Sequence, residues 1–257
     1  MSTQPYNRAF ARVYNDEWTT FVKRVAPWLV RFYTSTPISK ANRFILDICC
    51  GTGQLALGFL EAGYKVVGID LSDGMLEYAR KNTHHYLESG SVRFTQDNAT
   101  EFVLDERFGL AVSTYDSINH LEDEQALSKC FQSVFSVLED SGYFVFDLNT
   151  RAALANWNNI SIVDNSELMM ITHGIYDRHS NKAVTRISGF ARAPNGFYER
   201  FEQIILNTVF ELESVRSILL RMGWRQVHFA SIYDLTRPIA EPEQVSKENQ
   251  VFVVAQK

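Results

Sequence analysis

The chain is short of cysteine, of long apolar runs and of surplus positive charge, and each shortage removes a class of protein. Only three cysteines occur in 257 residues. Cys49 and Cys50 are adjacent and Cys130 stands alone, which offers neither a paired disulfide framework nor the spacing of a metal site. A reduced compartment and no bound metal are expected. No stretch reaches the roughly 18 apolar residues of a membrane span, and the first ten residues show neither a signal-like apolar core nor a small-residue cleavage site. A cytoplasmic location without membrane association is expected. A net charge of −5 argues against a nucleic-acid substrate, because phosphate contacts need clustered Lys and Arg. No internal repeat or low-complexity tract appears. What remains is ordinary for a globular chain with a full core: 46% hydrophobic and 21% charged residues.

The organising stretch runs from Phe44 to Asp70. Phe44 to Ile48 is a β-branched and aromatic run, Gly51-Thr52-Gly53 is a turn that small residues allow, and Gln54 to Ala62 repeats apolar residues at helical spacing, Leu55 with Phe59 and Ala56 with Leu60. A second apolar strand then closes on Asp70. This is a βαβ unit. In such a unit the glycines let backbone N–H groups approach a ligand, the helix N-terminus favours a negative group, and the acid ending the second strand accepts ribose hydroxyls. A nucleoside with an anionic tail is implied. The spacing Gly51-x-Gly53-x-x-Ala56 with Asp70 about twenty residues on also fits a dinucleotide fingerprint. Asp47 weighs against it. A carboxylate beside the turn repels a pyrophosphate and suits an ammonium or sulfonium group.

With these residues in view, Asp47-Ile48-Cys49-Cys50-Gly51-Thr52-Gly53 resembles the first motif of class I S-adenosylmethionine-dependent methyltransferases, with Cys49 where the commonest form has a glycine. More loosely, residues 6 to 257 resemble the small-molecule members with an N-terminal tyrosine-rich helix and a late β insertion. The resemblance implies an α/β fold, a doubly wound, mostly parallel seven-stranded sheet with an inserted antiparallel β lid. It implies S-adenosylmethionine as cofactor and S-adenosylhomocysteine as product. On this pattern Asp47 faces the methionine ammonium, Cys49, Gly51 and Gly53 line the methionine part, and Asp70 takes the ribose. Leu71 and Met75 flank the adenine, Asp97 accepts from its amino group, and Asn98 and Ala99 stand beside it. Tyr6 and Tyr14, with Trp18, close over the ligand from the N-terminal helices, for which a plain helical cover is the alternative.

The remaining chain alternates helix and strand as a doubly wound sheet demands. The spacing predicts two N-terminal helices parted at Pro27, a helix from about Gly74 to Lys81 capped by Ser72, and strands at Val92 to Asp97, Phe108 to Thr114 and Gly142 to Asp147. The helix Glu122 to Leu138 carries Leu127, Cys130, Phe131 and Val134 on one stripe, so Cys130 reads as core. Beyond the fourth strand, Tyr115, Asp116, Ser117, Asn119 and His120 fall where cofactor and acceptor meet, with Asp147 and Asn149 beyond the fifth. His120, titrating near neutral pH, is the candidate general base, against the plainer reading of a residue that orients the next helix.

Residues 151 to 207 break the alternation. Leu168 to Tyr176, Ala183 to Arg192 and Phe197 to Leu206 read as strands, and Asn195-Gly196 is a hairpin signal. His173, Tyr176, Arg186, Arg192, Tyr198 and Arg200 stand as candidate acceptor contacts, the arginines hinting at an acidic acceptor. A helix at Glu211 to Met222 ending at Gly223, then strands around Gln226 to Tyr233 and Val251 to Ala255, close the chain, joined by a polar surface loop over residues 236–250. Three parts are expected: a cover and cofactor-binding core over 1–150, a β lid over 151–207, and a completing helix and hairpin over 208–257. The leading reading is a methyltransferase acting on N or O of a small molecule, as a monomer or homodimer. An NAD-dependent oxidoreductase and a non-catalytic S-adenosylmethionine-binding regulator are the alternatives.

Overall fold

The computed structural model describes residues 6–239 and 248–257. Residues 240–247, within the expected polar connection, lie outside the described residues. In chain order the elements are α1 (Arg8–Glu17), α2 (Thr19–Ser35), α3 (Ile38–Ala41), β1 (Phe44–Ile48), α4 (Gln54–Glu61), β2 (Lys65–Asp70), α5 (Asp73–Asn82), α6 (His84–Glu88), β3 (Val92–Gln96), β4 (Phe108–Ser113), a 3₁₀ turn at Ser117–His120, and α7 (Glu124–Val137). Then follow β5 (Leu138–Asn149), α8 (Arg151–Ala155), β6 (Ile160–Asp164), β7 (Leu168–Asp177), β8 (Lys182–Arg192), β9 (Tyr198–Thr208), α9 (Leu212–Arg221), β10 (Gln226–Ala230) and β11 (Gln250–Gln256).

One seven-stranded sheet has the order β10-β11-β5-β4-β1-β2-β3, parallel throughout except for β11, which runs antiparallel to both β5 and β10. The expected doubly wound α/β sheet is therefore present. The chain steps outward from β1 through β2 to β3 and then returns to β4 on the other side, so the strand order reverses between β1 and β4. That reversal leaves a crevice beyond the carboxyl ends of those strands. Each face of the sheet buries an apolar layer. Leu127, Cys130, Phe131 and Val134 of α7 meet Phe144, Phe146 and Trp224 on one side, while Leu29 and Phe32 of α2 and Ala56 and Phe59 of α4 pack on the other.

The second sheet is antiparallel, β6-β7-β8-β9. Gly196, at φ +86°, turns the chain between β8 and β9, where glycine avoids the Cβ penalty. The edge strand β6 was not expected; its sequence, ISIVD, is short and follows a run rich in asparagine.

Two local expectations change. Pro27 does not divide the N-terminal helices. It lies exposed inside the continuous α2, and the break falls at Trp18, whose backbone N–H closes on the Tyr14 carbonyl. An interior proline costs a helix about 3 kcal/mol, and the buried stripe Val22, Val25, Ala26, Leu29, Phe32 and Tyr33 outweighs it. The fifth strand begins at Leu138 rather than Gly142, with Ser141 at φ +68° taking the bend.

Candidate functional site

Three backbone features shape the floor of the crevice. Cys49, Gly51 and Gly53 alternate in the left-handed region at φ +57°, +53° and +74°. Cys49 thus occupies a conformation that costs a side-chain-bearing residue on the order of 1–2 kcal/mol. A Cβ on Gly53 would stand 3.0 Å from the Ala79 backbone of α5, so this glycine also sets how closely α4 and α5 pack. The third feature is Tyr115-Asp116, again left-handed, at φ +66° and +51°.

Asp70 ties the floor together. Its Oδ2 accepts from the Gly51 N–H at 2.9 Å and its Oδ1 from the Ser72 N–H at 2.8 Å. Each carboxylate oxygen keeps a further lone pair for a hydroxyl. Burial raises the Asp70 carboxyl above its ordinary range, against the opposing pull of these backbone N–H groups. Ser72 in turn caps α5 through the Met75 N–H and donates to the Tyr6 carbonyl at 2.6 Å.

Asp47 lies beneath the turn. It is 2% exposed, its carboxyl is drawn down slightly by the Ala56 N–H at the start of α4, and its Oδ2 has no partner. Burial, with Asp70 nearby, pushes its carboxyl up to about 8. Asp47 borders a small pocket with Tyr14, Trp18, Thr52 and Tyr115 that adjoins the main cavity through Tyr14, Cys49 and Gly51. A buried carboxylate oxygen with no donor, next to open space, suits a cation. Leaving it unmatched costs about 1–3 kcal/mol or more.

The main cavity measures about 750 Å³ and lies between the strand ends, α1 and the second sheet. Of the residues expected at the site, Tyr6, Tyr14, Cys49, Gly51, Asp70, Leu71, Met75, Asp97, Asn98, Ala99, Tyr115, Asp116 and His120 line it; Asp47 reaches only the adjoining pocket and Gly53 supports the turn from outside. Met75 is 1% exposed and packs with Phe10 and Phe201, so it serves the core as well as the cavity. Oδ1 of Asp97 is taken by the Asn98 N–H at 2.8 Å, which leaves Oδ2 for another donor.

The N-terminal helix closes the roof. Asn7 caps α1 through the Phe10 N–H and donates to the Glu202 carbonyl of β9 at 2.8 Å, while Arg12 donates to the Ala191 carbonyl of β8 at 3.2 Å. These bonds hold Tyr6 with its ring 6.2 Å from His120, and Tyr14 6.1 Å from Tyr115, which Phe21 stacks at 4.7 Å. The sequence places Phe21 on the helical stripe but not against Tyr115, and it singles out no role for Asn7, although Asn before a helical run is an N-cap signal.

Beyond β4, His120 Nε2 stands 4.0 Å from Asp116 Oδ2. Burial lowers the imidazole to about 4, so it is neutral at working pH. Asp116 is raised by burial and by Asp147. Asp147 is fully buried, outside the cavity, and accepts from the Asp116 N–H at 3.1 Å and from Gln250. It therefore props the left-handed Asp116. Asn119 faces no ligand either. Its Nδ2 donates to the Asn149 carbonyl at 3.2 Å and the Thr208 carbonyl at 2.9 Å, and its Oδ1 accepts from the Asn149 N–H at 2.9 Å. It locks the 3₁₀ turn to β5 and to β9.

The expected acceptor contacts on the insertion are corrected. His173, Tyr176, Arg186, Arg192, Tyr198 and Arg200 do not line the cavity. Arg186 and Arg200 pair with Glu202, Arg192 with Glu167, and Tyr198 donates to the Ser166 carbonyl. Tyr176 accepts from Arg151. The inward residues are Met170, Thr172 and Gly174 of β7, Thr185 and Ile187 of β8, and Ile205 and Asn207 of β9. On β8 and β9 the odd positions face in, and every arginine named from those strands sits at an even one, on the opposite face. The hint of an acidic acceptor falls with them.

The family model for a methyltransferase domain matches residues 45–142. A Bacillus subtilis (strain 168) protein provisionally named methyltransferase YqeM is 25% identical over 248 residues, 93% of this chain and 94% of that one. An S-adenosylmethionine-dependent methyltransferase from Clostridium acetobutylicum ATCC 824 superposes with a TM-score of 0.78 at 20% identity, over 96% of this chain and 97% of that chain. The sugar N-methyltransferase KedS8 from Streptoalloteichus sp ATCC 53650 does so with a TM-score of 0.73 at 16% identity, over 100% and 95%. The matched domain contains the motif at Asp47–Gly53 that carried the resemblance to class I methyltransferases, and the likeness to the two solved structures extends the shared fold through the second sheet.

Proposed function

We propose, from the match of residues 45–142 to the family model for a methyltransferase domain, that this chain transfers a methyl group from S-adenosylmethionine to a nitrogen or oxygen of a small molecule. One observation carries the reading: the buried, unpartnered Oδ2 of Asp47 under a turn whose neighbouring N–H Asp70 already holds. A diphosphate at that turn would meet two carboxylates, whereas an ammonium group satisfies the orphaned oxygen. The fit continues along the crevice, with the free lone pairs of Asp70 for ribose hydroxyls and Oδ2 of Asp97 for an adenine amino group. Leu71, Met75, Asn98 and Ala99 border the same region. S-Adenosylmethionine, when bound, supplies a sulfonium methyl group already activated for transfer.

The chain's own work is then orientation, exclusion of water and proton removal. Orientation of two reactants supplies several kcal/mol of barrier reduction. The roof formed by α1 and the second sheet, with Tyr6, Tyr14 and Tyr115 beneath it, limits water at the reacting centre. His120, neutral and lining the cavity, accepts the acceptor's proton at a ring nitrogen, with Asp116 Oδ2 at 4.0 Å to steady the resulting charge. The sugar N-methyltransferase among the structural neighbours favours an acceptor nitrogen. The division into a core over 1–150, a lid over 151–207 and a completing segment over 208–257 belongs to the same reading. A cavity walled by both sheets favours an enzyme over a cofactor sensor, since the lid side encloses space for a second molecule.

Calorimetric titration with S-adenosylmethionine, S-adenosylhomocysteine and NAD tests it, followed by transfer of labelled methyl groups to a panel of small amines and alcohols. Binding of both sulfur nucleosides without NAD, and labelled product, is the expected result. NAD binding with no response to the sulfur nucleosides would overturn it.

A further inference from the structure

One cavity residue keeps its side-chain amide unpartnered. Asn207 on β9 is 0% exposed, and both its Nδ2 and its Oδ1 lack a hydrogen-bond partner. Other buried polar atoms share that state: those of Asp47, Thr52, Ser113, Asp147 and Trp224. Among the described residues only Asn207 combines it with a place on the wall of the large cavity. A buried amide that loses water on folding and gains no partner is destabilising for each unmet group. Its position is also firmly set. Lys182 and Leu121 hold the neighbouring Thr208 hydroxyl, and Asn119 holds the Thr208 carbonyl. The same Asn119 precedes His120, so one knot of hydrogen bonds fixes both Asn207 and the proposed base.

An Asn amide sets a donor group, its NH2, beside an acceptor group, its carbonyl oxygen. The group that satisfies both at once is itself a donor and an acceptor, as an alcohol is; an ionised carboxylate or phosphate satisfies only the N–H and sets acceptor against acceptor at the amide oxygen. The surrounding wall agrees. Thr172, Thr185, Ile187, Ile205 and Trp157 are uncharged, and the charged groups that line the cavity are Asp70, Asp97, Asp116 and the exposed Arg24 on α2. Among the described residues, no cationic side chain of the second sheet lines the cavity.

We propose that Asn207 grips a hydroxyl of the acceptor and so selects hydroxylated amines that carry no phosphate or carboxylate. This deepens the methyltransferase reading and rests on it. The preponderance of carboxyl over cationic groups in the cavity favours an amine, the Asn207 amide orients the molecule by its hydroxyl, and His120 meets the nitrogen to be methylated.

The test uses the full chain saturated with S-adenosylhomocysteine, and three probes of similar ring size: glucosamine, glucosamine 6-phosphate and cyclohexylamine. Affinities are read by calorimetry for the natural chain and for Asn207→Leu and Asn207→Ser. S-Adenosylhomocysteine binding, measured first, reports separately on the methyltransferase reading and on folding of the variants. The natural chain is expected to prefer glucosamine over each of the other two by roughly tenfold, the scale of one well-made hydrogen bond. Asn207→Leu should abolish the preference over cyclohexylamine, and Asn207→Ser should restore part of it. Equal binding of glucosamine and cyclohexylamine by the natural chain, tighter binding of the phosphate, or an unchanged preference in Asn207→Leu with cofactor affinity intact would each overturn the proposal.

Discussion

At the scale of single residues, the site is built from side chains placed where folding alone would not put them. Asp47 is the clearest. Its carboxyl is buried and raised to about 8, and one oxygen is left unmatched. Asp47→Asn keeps the shape and the Ala56 contact while removing the charge. The ligand-free variant should therefore be at least as stable as the natural chain, whereas S-adenosylmethionine affinity should fall about tenfold to a hundredfold, the worth of a charge-assisted hydrogen bond. Calorimetry and urea unfolding check the two halves, and an unaltered affinity would remove Asp47 from the site. His120 makes a different prediction. His120→Ala should lower kcat by about a hundredfold, at the lower end of general-base effects, and leave the cofactor dissociation constant unchanged. A kcat reduced less than threefold would mean that alignment alone suffices. Asp47 and Asp70 were legible in the sequence because each ends an apolar strand, one directly before the glycine turn and one opposite it. Asn207 was not, since a lone polar residue in a β run gives no sign of whether it meets water, a partner or a cavity.

At the scale of elements, packing decided where local signals conflicted. Pro27 reads as a helix breaker, yet α2 runs through it because six buried residues hold the helix against α4 and the sheet. Its exposure makes the conflict measurable. Pro27→Ala restores a backbone N–H and removes a clash, at the cost of a more flexible unfolded chain, and should stabilise by about 1–2 kcal/mol on balance. No change in the urea midpoint would mean that α2 already absorbs the proline. Asn119 acts between elements. Asn119→Ala leaves the Asn149 N–H without its acceptor and both carbonyls without their donor, and should cost about 3 kcal/mol in unfolding free energy. Because it ties β9 to the 3₁₀ turn, KM for the acceptor should rise more than the dissociation constant of the cofactor. Equal changes in both would place its effect on the whole core instead. Strands, helices and the Asn195-Gly196 hairpin were readable from periodicity and turn chemistry. The faces of β8 and β9 were not, because a shift of one residue exchanges every inward side chain for an outward one.

At the scale of the whole molecule, the crevice concentrates buried acids, and stability should report it. Asp47 and Asp147 are raised to about 8 and about 7, and Asp70 and Asp116 are raised as well. In the unfolded chain these carboxyls titrate near pH ~3.9. The folded state therefore binds more protons than the unfolded state across this window, and stability falls as pH rises. His120, lowered to about 4, works in the opposite sense but only below about pH 6.5, where the unfolded imidazole gains its proton. From pH 6.5 to 8.5 the melting temperature of the ligand-free chain should fall. With S-adenosylhomocysteine the fall should be shallower, since the ligand's ammonium favours the ionised Asp47. A thermal shift that does not grow with pH would count against that contact. By itself, the sequence determined the alternation of helix and strand, the acid-flanked glycine turn, and through them the kind of nucleoside the crevice suits, because periodicity and turn chemistry act over a few residues. Only the tertiary structure decided which face of the inserted sheet meets the cavity, that Asp147 and Asn119 hold the site together from behind, and that Asn207 stands unpaired in its wall. Those outcomes depend on strand register and on contacts between residues far apart in the chain, and no local pattern encodes them.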